Sequence, residues 1–503
     1  MIKYSPNGRI KIISVGQAMK SENVIKQKSV KKNAILSVIK QLFSVVFPMI
    51  TFPYATRILG AVNYGKYTFS VSIVNYISYI AAAGILRYAI RECARVRDNE
   101  NKLKSLVNEI FTINVTTTVV AYIILFGILA FVPMLKEYTA YILIISLSVI
   151  FITVGTDWIN SAFEDYFFIT VRYIISQFAA LALLFVIVRS SENVAQYAFV
   201  SVFGGILANI LNVIHIRKAL GIFPRLSYSK NLLVHIKPIL YLFACTIATF
   251  IYINSDVTIL RIYADDASVG FYGVSTQFYQ LVKQLINAAF IVVIPRISNE
   301  LTKNKQLAYD RYNKILVVTI LLLLPCSVGL YMVKENLVLL FSGEEYIRAA
   351  SSLAILSIAL IPAMLANFYI NIVMIPLKLE KQVMIATVTS ALINIGLNFV
   401  LIPKYAENAA AFTTLLAELS MVVIAILYCK NIRFRDLGKP VVAGISGCML
   451  IIIICHILNA TIENKLANVI LCVVLSGIAY GIITALFYRK EVSSFTKVIM
   501  KGR

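Results

Sequence analysis

Runs of about twenty apolar residues follow one another from residue 34 to residue 488 and leave little of the chain over. An α-helix needs about 20 such residues to cross the hydrocarbon of a bilayer, and helix is the form in which an open chain satisfies its own backbone there. By that measure the sequence predicts fourteen spans, roughly 34–58, 67–89, 107–131, 138–161, 166–188, 195–216, 238–260, 269–294, 315–333, 349–374, 382–402, 408–428, 441–458 and 466–488. Of the 503 residues 59% are apolar and 14% charged, where a soluble protein carries about 25% charged residues.

The spans come in two sets. The stretch Arg57–Tyr67, RILGAVNYGKY, leaves one apolar run, is expected to turn at Gly60 and Gly65, and enters the next. Some 205 residues later Arg261–Tyr272 repeats it, with Gly270-Phe271-Tyr272 answering Gly65-Lys66-Tyr67. Lys136-Glu137-Tyr138 returns as Glu344-Glu345-Tyr346, Phe163-Glu164-Asp165 as Leu379-Glu380-Lys381, and Glu192-Asn193-Val194-Ala195 as Glu407-Asn408-Ala409-Ala410, at steps of 208, 216 and 215 residues. A repeat of this length in an apolar chain predicts two lobes facing each other across a membrane cavity. Six spans per repeat send both halves into the bilayer in one direction, so the pseudo-two-fold axis lies along the membrane normal. The expected fold is therefore an all-α integral membrane protein. Its parts are a basic tail (1–32), an N-terminal six-helix lobe (33–218), a linker (219–237), a C-terminal six-helix lobe (238–431), an additional helix pair (440–488) and a second tail (489–503).

The formal charge of +23 would suggest nucleic acid in a soluble protein. Here the basic residues report topology. With the N-terminus cytoplasmic, 35 of the 47 Lys and Arg fall in cytoplasmic segments, nine on the other side and three inside spans, which predicts that both ends are cytoplasmic. No apolar h-region opens the chain, so no cleavable signal peptide is expected. No loop between spans exceeds about 20 residues, which leaves no room for an extramembrane catalytic domain. The seven cysteines lack CxxC spacing and sit mostly within apolar runs, and three scattered histidines make no metal site. No metal, cofactor or nucleic acid is expected.

A charge at the bilayer centre costs ~2.5–3.5 kcal/mol on insertion scales, so charges inside spans are the first candidates for function. Lys283 lies about 16 Å from the end of its span at the helical rise. It shares a helix face with Thr276, Gln280, Gln284 and Asn287. Lys40 lies roughly 10 Å inside the first span, near Ser37, Ser44 and Thr51 and below Pro48 and Pro53, which should bend that helix. Arg87 and Arg91 close the second span, and Arg172 sits a turn or two into the fifth. These five cations lie from mid-membrane to the cytoplasmic side, and together they predict an electropositive cavity for an anionic cargo, most plausibly one bearing phosphate. The alternative for Lys283 is an ion pair with a neighbouring helix, and for the other four a side chain that snorkels to the interface. Among the acids, Glu418, Asp157 and Asp256 are candidates for coupling to H+ or Na+, or for pairing with a cavity cation. The pairs Asn367/Asn371 and Asn394/Asn398 either line the second lobe or bond between helices. GKYT at 65–68 lacks the preceding glycine of a phosphate loop, and no HExxH, GxSxG or GxGxxG occurs.

Residues 51–99 resemble the opening of bacterial polysaccharide-transport flippases, the Wzx-type branch of the multidrug/oligosaccharidyl-lipid/polysaccharide exporter superfamily. Pro53, Arg57, Leu59, Gly60, Tyr64, Gly65, Tyr67, Gly84, Arg91 and Glu92 occupy the places of its P-x-x-x-R-x-L-G, Y-G-x-Y and G-x-x-x-x-x-x-R-E pattern. IPRIS at 294–298 and the fourteen-span length resemble the family too. The resemblance implies a flippase moving undecaprenyl-diphosphate-linked oligosaccharide from the cytoplasmic to the outer leaflet by alternating access, for O-antigen, capsule or exopolysaccharide assembly. It implies membrane lipid around the polyprenyl tail, an ion gradient as drive, and a polysaccharide polymerase and chain-length machinery as partners. A peptidoglycan-precursor or sporulation-type flippase would share the fold and an anionic cargo. A multidrug cation exporter should present acids to the cavity, and a polymerase or ligase should carry a large external loop.

Overall fold

The computed structural model describes residues 2–4, 10–12, 30–229, 231–291, 305–430, 432 and 434–488. Most of the basic tail at 1–32, the IPRIS run at 294–298 and the tail at 489–503 lie outside the described residues. A short antiparallel hairpin pairs Ile2–Tyr4 with Ile10–Ile12, and the rest of the regular structure is helical. In chain order the α-helices are α1 (Val30–Ala82), α2 (Ile85–Val96), α3 (Glu100–Phe131), α4 (Thr139–Gly155), α5 (Trp158–Ala162), α6 (Tyr166–Ile187) and α7 (Val194–His215). There follow α8 (Leu232–Tyr263), α9 (Asp266–Ile291), α10 (Lys305–Phe341), α11 (Ala349–Asn367), α12 (Glu380–Tyr428), α13 (Gly438–Thr461) and α14 (Lys465–Phe487). Among the described residues ten helical segments are long and apolar enough to cross a membrane. Large apolar side chains such as Ile123, Phe131, Val186 and Ile482 stay exposed around them, as a lipid-facing surface requires.

Two of those ten segments contain a break. α1 leaves helical geometry at Gly60 (φ 72°), and α12 does so at Ala406 (φ 45°). The expected turn at Gly65 does not form: the chain bends at Gly60 alone, and helix resumes through Gly65. The reason is packing. A Cβ on Gly65 would stand 1.7 Å from the Asp266 carbonyl oxygen, and one on Gly270 would stand 2.2 Å from that of Ala61. The glycines are the places where α1 and α9 touch backbone to backbone, as small residues allow between membrane helices. Pro48 and Pro53 lie inside α1, which stays helical through both of them.

The repeated landmarks take related local forms. Lys136-Glu137-Tyr138 and Glu344-Glu345-Tyr346 both lie in 3-10 turns, and each tyrosine is fully buried. Tyr138 reaches forward, its hydroxyl donating to Asp266 (2.8 Å) and accepting from Arg261 Nε (2.5 Å). Tyr346 reaches back to the Thr56 carbonyl at 3.3 Å, and Glu345 accepts the Ala61 N–H at 2.8 Å beside the Gly60 break. Glu164 (φ 54°) and Lys378 (φ 60°) each adopt a left-handed conformation shortly before a helix start. α11, packed between α10 and α12, begins the most buried of the ten segments, Ala349–Met374. α13 and α14 pack on each other and on α10, with Gly444 and Gly447 against Leu324 and Tyr480.

Candidate functional site

The charges inside the apolar helices fall into separate settings. On α9, Lys283 Nζ lies 3.3 Å from Glu418 Oε1 on α12 and 4.9 Å from the centre of the Tyr279 ring. Tyr279 also reaches Glu418 at 3.5 Å. The Lys283 side chain keeps 20% exposure and that of Glu418 7%. Further along the same helix Asn287 accepts from Asn367, which accepts from Asn371, both at 3.0 Å. This amide string ties α9 to α11. Of the other predicted lining residues, Gln280 is exposed, Thr276 bonds back to the Tyr272 and Gly273 carbonyls, and Ser44 to that of Gln41.

In the first half Arg172 on α6 is buried, held by Asp157 before α5 and by the Ala208 carbonyl of α7 at 3.1 Å. Its guanidinium also lies 5.6 Å from the Phe168 ring centre. Lys40, half-buried on α1, sits 5.7 Å from the ring centre of Tyr173, the residue after Arg172. No carboxylate among the described residues bonds Lys40, although Asp157 and Arg172 shape its electrostatic surroundings. Arg87 and Arg91 are both exposed on α2, Arg91 paired with its neighbour Glu92 at 2.8 Å. Of the five cations, Lys283, Arg172 and Arg91 each rest on a carboxylate, which for Lys283 is the ion-pair alternative. Burial explains the first two, because a counter-charge offsets the cost of drawing a cation into apolar packing.

Asp256 on α8 has a different environment. It is buried and accepts from Tyr272 Oη (2.7 Å), Asn398 Nδ2 (2.6 Å) and Thr414 Oγ1 (2.8 Å). Asn398 also bonds Asn394 and Thr413, and Ser255 donates to Asn394 at 3.2 Å. No Lys or Arg among the described residues reaches this carboxylate. The acid and both asparagines stand out in the sequence, whereas Thr413 and Thr414, and Tyr272 beyond its place in the repeat, are brought to this point only by the packing of α8, α9 and α12.

A cavity of about 390 Å³ opens between the two arms of α1 and helices α6, α7 and α9. Pro48, Thr51, Tyr64, Tyr67, Tyr173, Gln177, Tyr197 and Gln277 are among its walls. Of the predicted polar residues, Thr276 is here and Lys40 adjoins it through Tyr173. Tyr64 and Tyr67 stand out in the sequence only as motif positions and Tyr173 and Tyr197 not at all, because tyrosines in apolar helices are as often plain packing.

Residues 30–300, more than half of the chain, match the family described as polysaccharide biosynthesis protein, and residues 239–400 match the MatE family. The chain is 23% identical over 404 residues to an Escherichia coli K12 protein named "Putative O-antigen transporter", covering 80% of this chain and 97% of that one. A Shigella dysenteriae protein of the same name is 24% identical over 339 residues, 66% of this chain and 82% of its own length. Among solved structures, the lipid II flippase MurJ in an inward closed conformation aligns with a TM-score of 0.72 at 17% identity, over 91% of this chain and 99% of that one. An inward-facing multidrug resistance MATE transporter aligns at 0.58 and 11% identity, over 82% and 97%. At those identities the structural likeness speaks for the fold, and the sequence match for the family. The chain is a multi-pass membrane protein that belongs to the polysaccharide biosynthesis protein family, within the multidrug/oligosaccharidyl-lipid/polysaccharide exporter superfamily.

Proposed function

We propose that the chain is a transporter, not an enzyme, that moves an undecaprenyl-diphosphate-linked oligosaccharide from the cytoplasmic to the outer leaflet of the plasma membrane. The observation that carries this reading is Lys40: a half-buried ammonium inside an apolar span, against an aromatic ring beside an open cavity, with no carboxylate bonded to it among the described residues. A cation left in that position is stabilised when a mobile anion arrives, and a diphosphate supplies one. The names of the two O-antigen transporter relatives support the same cargo class.

The two-lobe, fourteen-span arrangement with both ends cytoplasmic belongs to the same proposal. Breaks at Gly60 and Ala406 support counting α1 and α12 as two passes each, and α8 and α9 add two more. The opposed reach of Tyr138 and Tyr346 supports the duplication. Asp256, buried among hydroxyls and amides with no basic partner among the described residues, is the group we assign to ion coupling, by H+ or Na+. Glu418 and Asp157 are assigned to holding Lys283 and Arg172. A polymerase with its chain-length machinery would receive the cargo outside.

The test is surface glycan in a strain deleted for this chain and complemented with variants of matched membrane abundance. Lys40→Arg should restore export and Lys40→Glu should not; restoration by Glu would end the anion reading. The MurJ-like fold favours one rival, a peptidoglycan-precursor flippase. That rival requires the chain to rescue cells depleted of their lipid II flippase, and the proposal expects no rescue.

A further inference from the structure

The cavity beside Lys40 has the chemistry of a sugar site. Ten of its eighteen lining residues carry a hydroxyl or amide, and none is charged. Tyr64, Tyr67 and Tyr197 form a connected aromatic wall, with ring centres 5.9 Å apart for the first pair and 4.5 Å for the second. Phe52 continues the wall at 6.0 Å from Tyr64. Tyr173 stands at another edge, where Lys40 lies over its ring.

Three of the hydroxyls are occupied: Thr68, Ser201 and Thr276 each bond a carbonyl of their own helix. Thr51, Gln177 and Gln277 differ. They are half-buried, they line the cavity, and none bonds a described residue. Each amide offers two donors and an acceptor, and the hydroxyl offers one donor and an acceptor.

Three ligand classes can be set against that wall. An anion finds no charge in it. An alkyl chain would leave two amides and a hydroxyl facing hydrocarbon, at the cost of unpaired polar groups. An uncharged sugar presents C–H faces to tyrosine rings, which are apolar in body and polar at the tip. Its hydroxyls meet the free amides, both donating and accepting. The volume of about 390 Å³ falls within the ~300–1,000 Å³ of small-molecule sites.

We infer that this cavity binds an uncharged sugar ring of the cargo, stacked on the tyrosine wall and hydrogen-bonded by Gln177, Gln277 and Thr51. The inference rests on the transport reading and deepens it: Lys40, at the Tyr173 edge, takes the diphosphate while the cavity takes a ring of the glycan.

The experiment uses the full chain in lipid nanodiscs and saturation-transfer NMR with four uncharged probes, the methyl glycosides of glucose, galactose, rhamnose and N-acetylglucosamine. Saturation should reach the ring C–H protons of at least one glycoside. Gln177→Ala should weaken that binding roughly fivefold, the loss expected for one hydrogen bond. Tyr67→Leu should weaken it further, and Tyr67→Phe, which keeps the ring, should retain it. No transfer from any of the four, or binding unchanged in both Gln177→Ala and Tyr67→Leu, overturns the inference. Surface glycan in the complemented strain is scored in parallel. Export without glycoside binding ends the sugar-site inference alone, whereas glycoside binding without export ends the transport reading.

Discussion

Lys283 Nζ and Glu418 Oε1 stand 3.3 Å apart and join α9 to α12, with Tyr279 reaching the same carboxylate oxygen. The pair is mostly buried, so removing one partner strands the other charge. For fully buried pairs that costs ~3–5 kcal/mol, and the residual exposure of Lys283 places it toward the lower end. Lys283→Ala should abolish glycan export and lower the melting midpoint of the purified protein. Lys283→Arg should be milder than Lys283→Glu, which sets two carboxylates together. The structure adds the decisive variant: Lys283→Met with Glu418→Met should recover stability but not export if Lys283 also serves the cargo. Recovery of both would reduce Lys283 to a packing role.

The crossing of α1 over α9 gives a second expectation. Gly65→Ala drives a methyl group into the Asp266 carbonyl, and backbone cannot swing aside as a side chain can. Overpacking of this kind costs about 1–3 kcal/mol, so Gly65→Ala and Gly270→Ala should each melt below the parent protein. Gly127→Ala, with nothing within 4 Å of the added Cβ, should melt at or above it, since alanine is the better helix former. Equal midpoints for Gly65→Ala and Gly127→Ala would mean that the helices do not touch at this point.

The same glycines show how much was legible in the sequence. Long apolar runs identify helices well because lipid permits few other forms. The repeat was visible because Tyr138 and Tyr346, or Glu192 and Glu407, keep their spacing from neighbouring landmarks. Gly65 was misread as a turn: a glycine chosen for close approach looks in sequence like one chosen for a bend, and only the partner helix tells them apart. Depth marked Arg172, and depth with a polar helix face marked Lys283, whereas their pairing needed three dimensions. Glu418 lies 135 residues from Lys283, and no spacing rule spans that distance. The cavity was the least legible part, since it is made of tyrosines and glutamines drawn from four helices.

Arg172 tests whether a buried cation is shape or charge. Its guanidinium serves Asp157 and the Ala208 carbonyl together, joining the residue before α5 to α6 and α7. Lysine keeps the charge but not the planar fork, so Arg172→Lys should destabilise by ~1.5–3 kcal/mol, the worth of one charge-assisted hydrogen bond. Asp157→Asn should cost a similar amount, and the double variant less than the sum, because the two act on one contact. Strict additivity in thermal unfolding would show that the residues do not communicate.

Asp256 makes the most specific demand on the energetics. A buried carboxylate with three donors and no described basic partner is stable as an anion only if its hydrogen bonds offset desolvation. A proton or a bound cation relieves that tension, and whichever does so stabilises the folded state by mass action, by ~2.7 kcal/mol at a hundredfold excess over Kd. Melting of the parent protein should therefore rise with Na+ at fixed ionic strength, or else with falling pH, according to the ion used. In Asp256→Asn, which keeps the shape and removes the charge, the midpoint should respond to neither. Glycan transport in proteoliposomes should likewise stop responding to an imposed gradient of that ion. A midpoint in Asp256→Asn that still tracks the ion as the parent does would place the coupling group elsewhere, with Glu418 the next carboxylate to substitute.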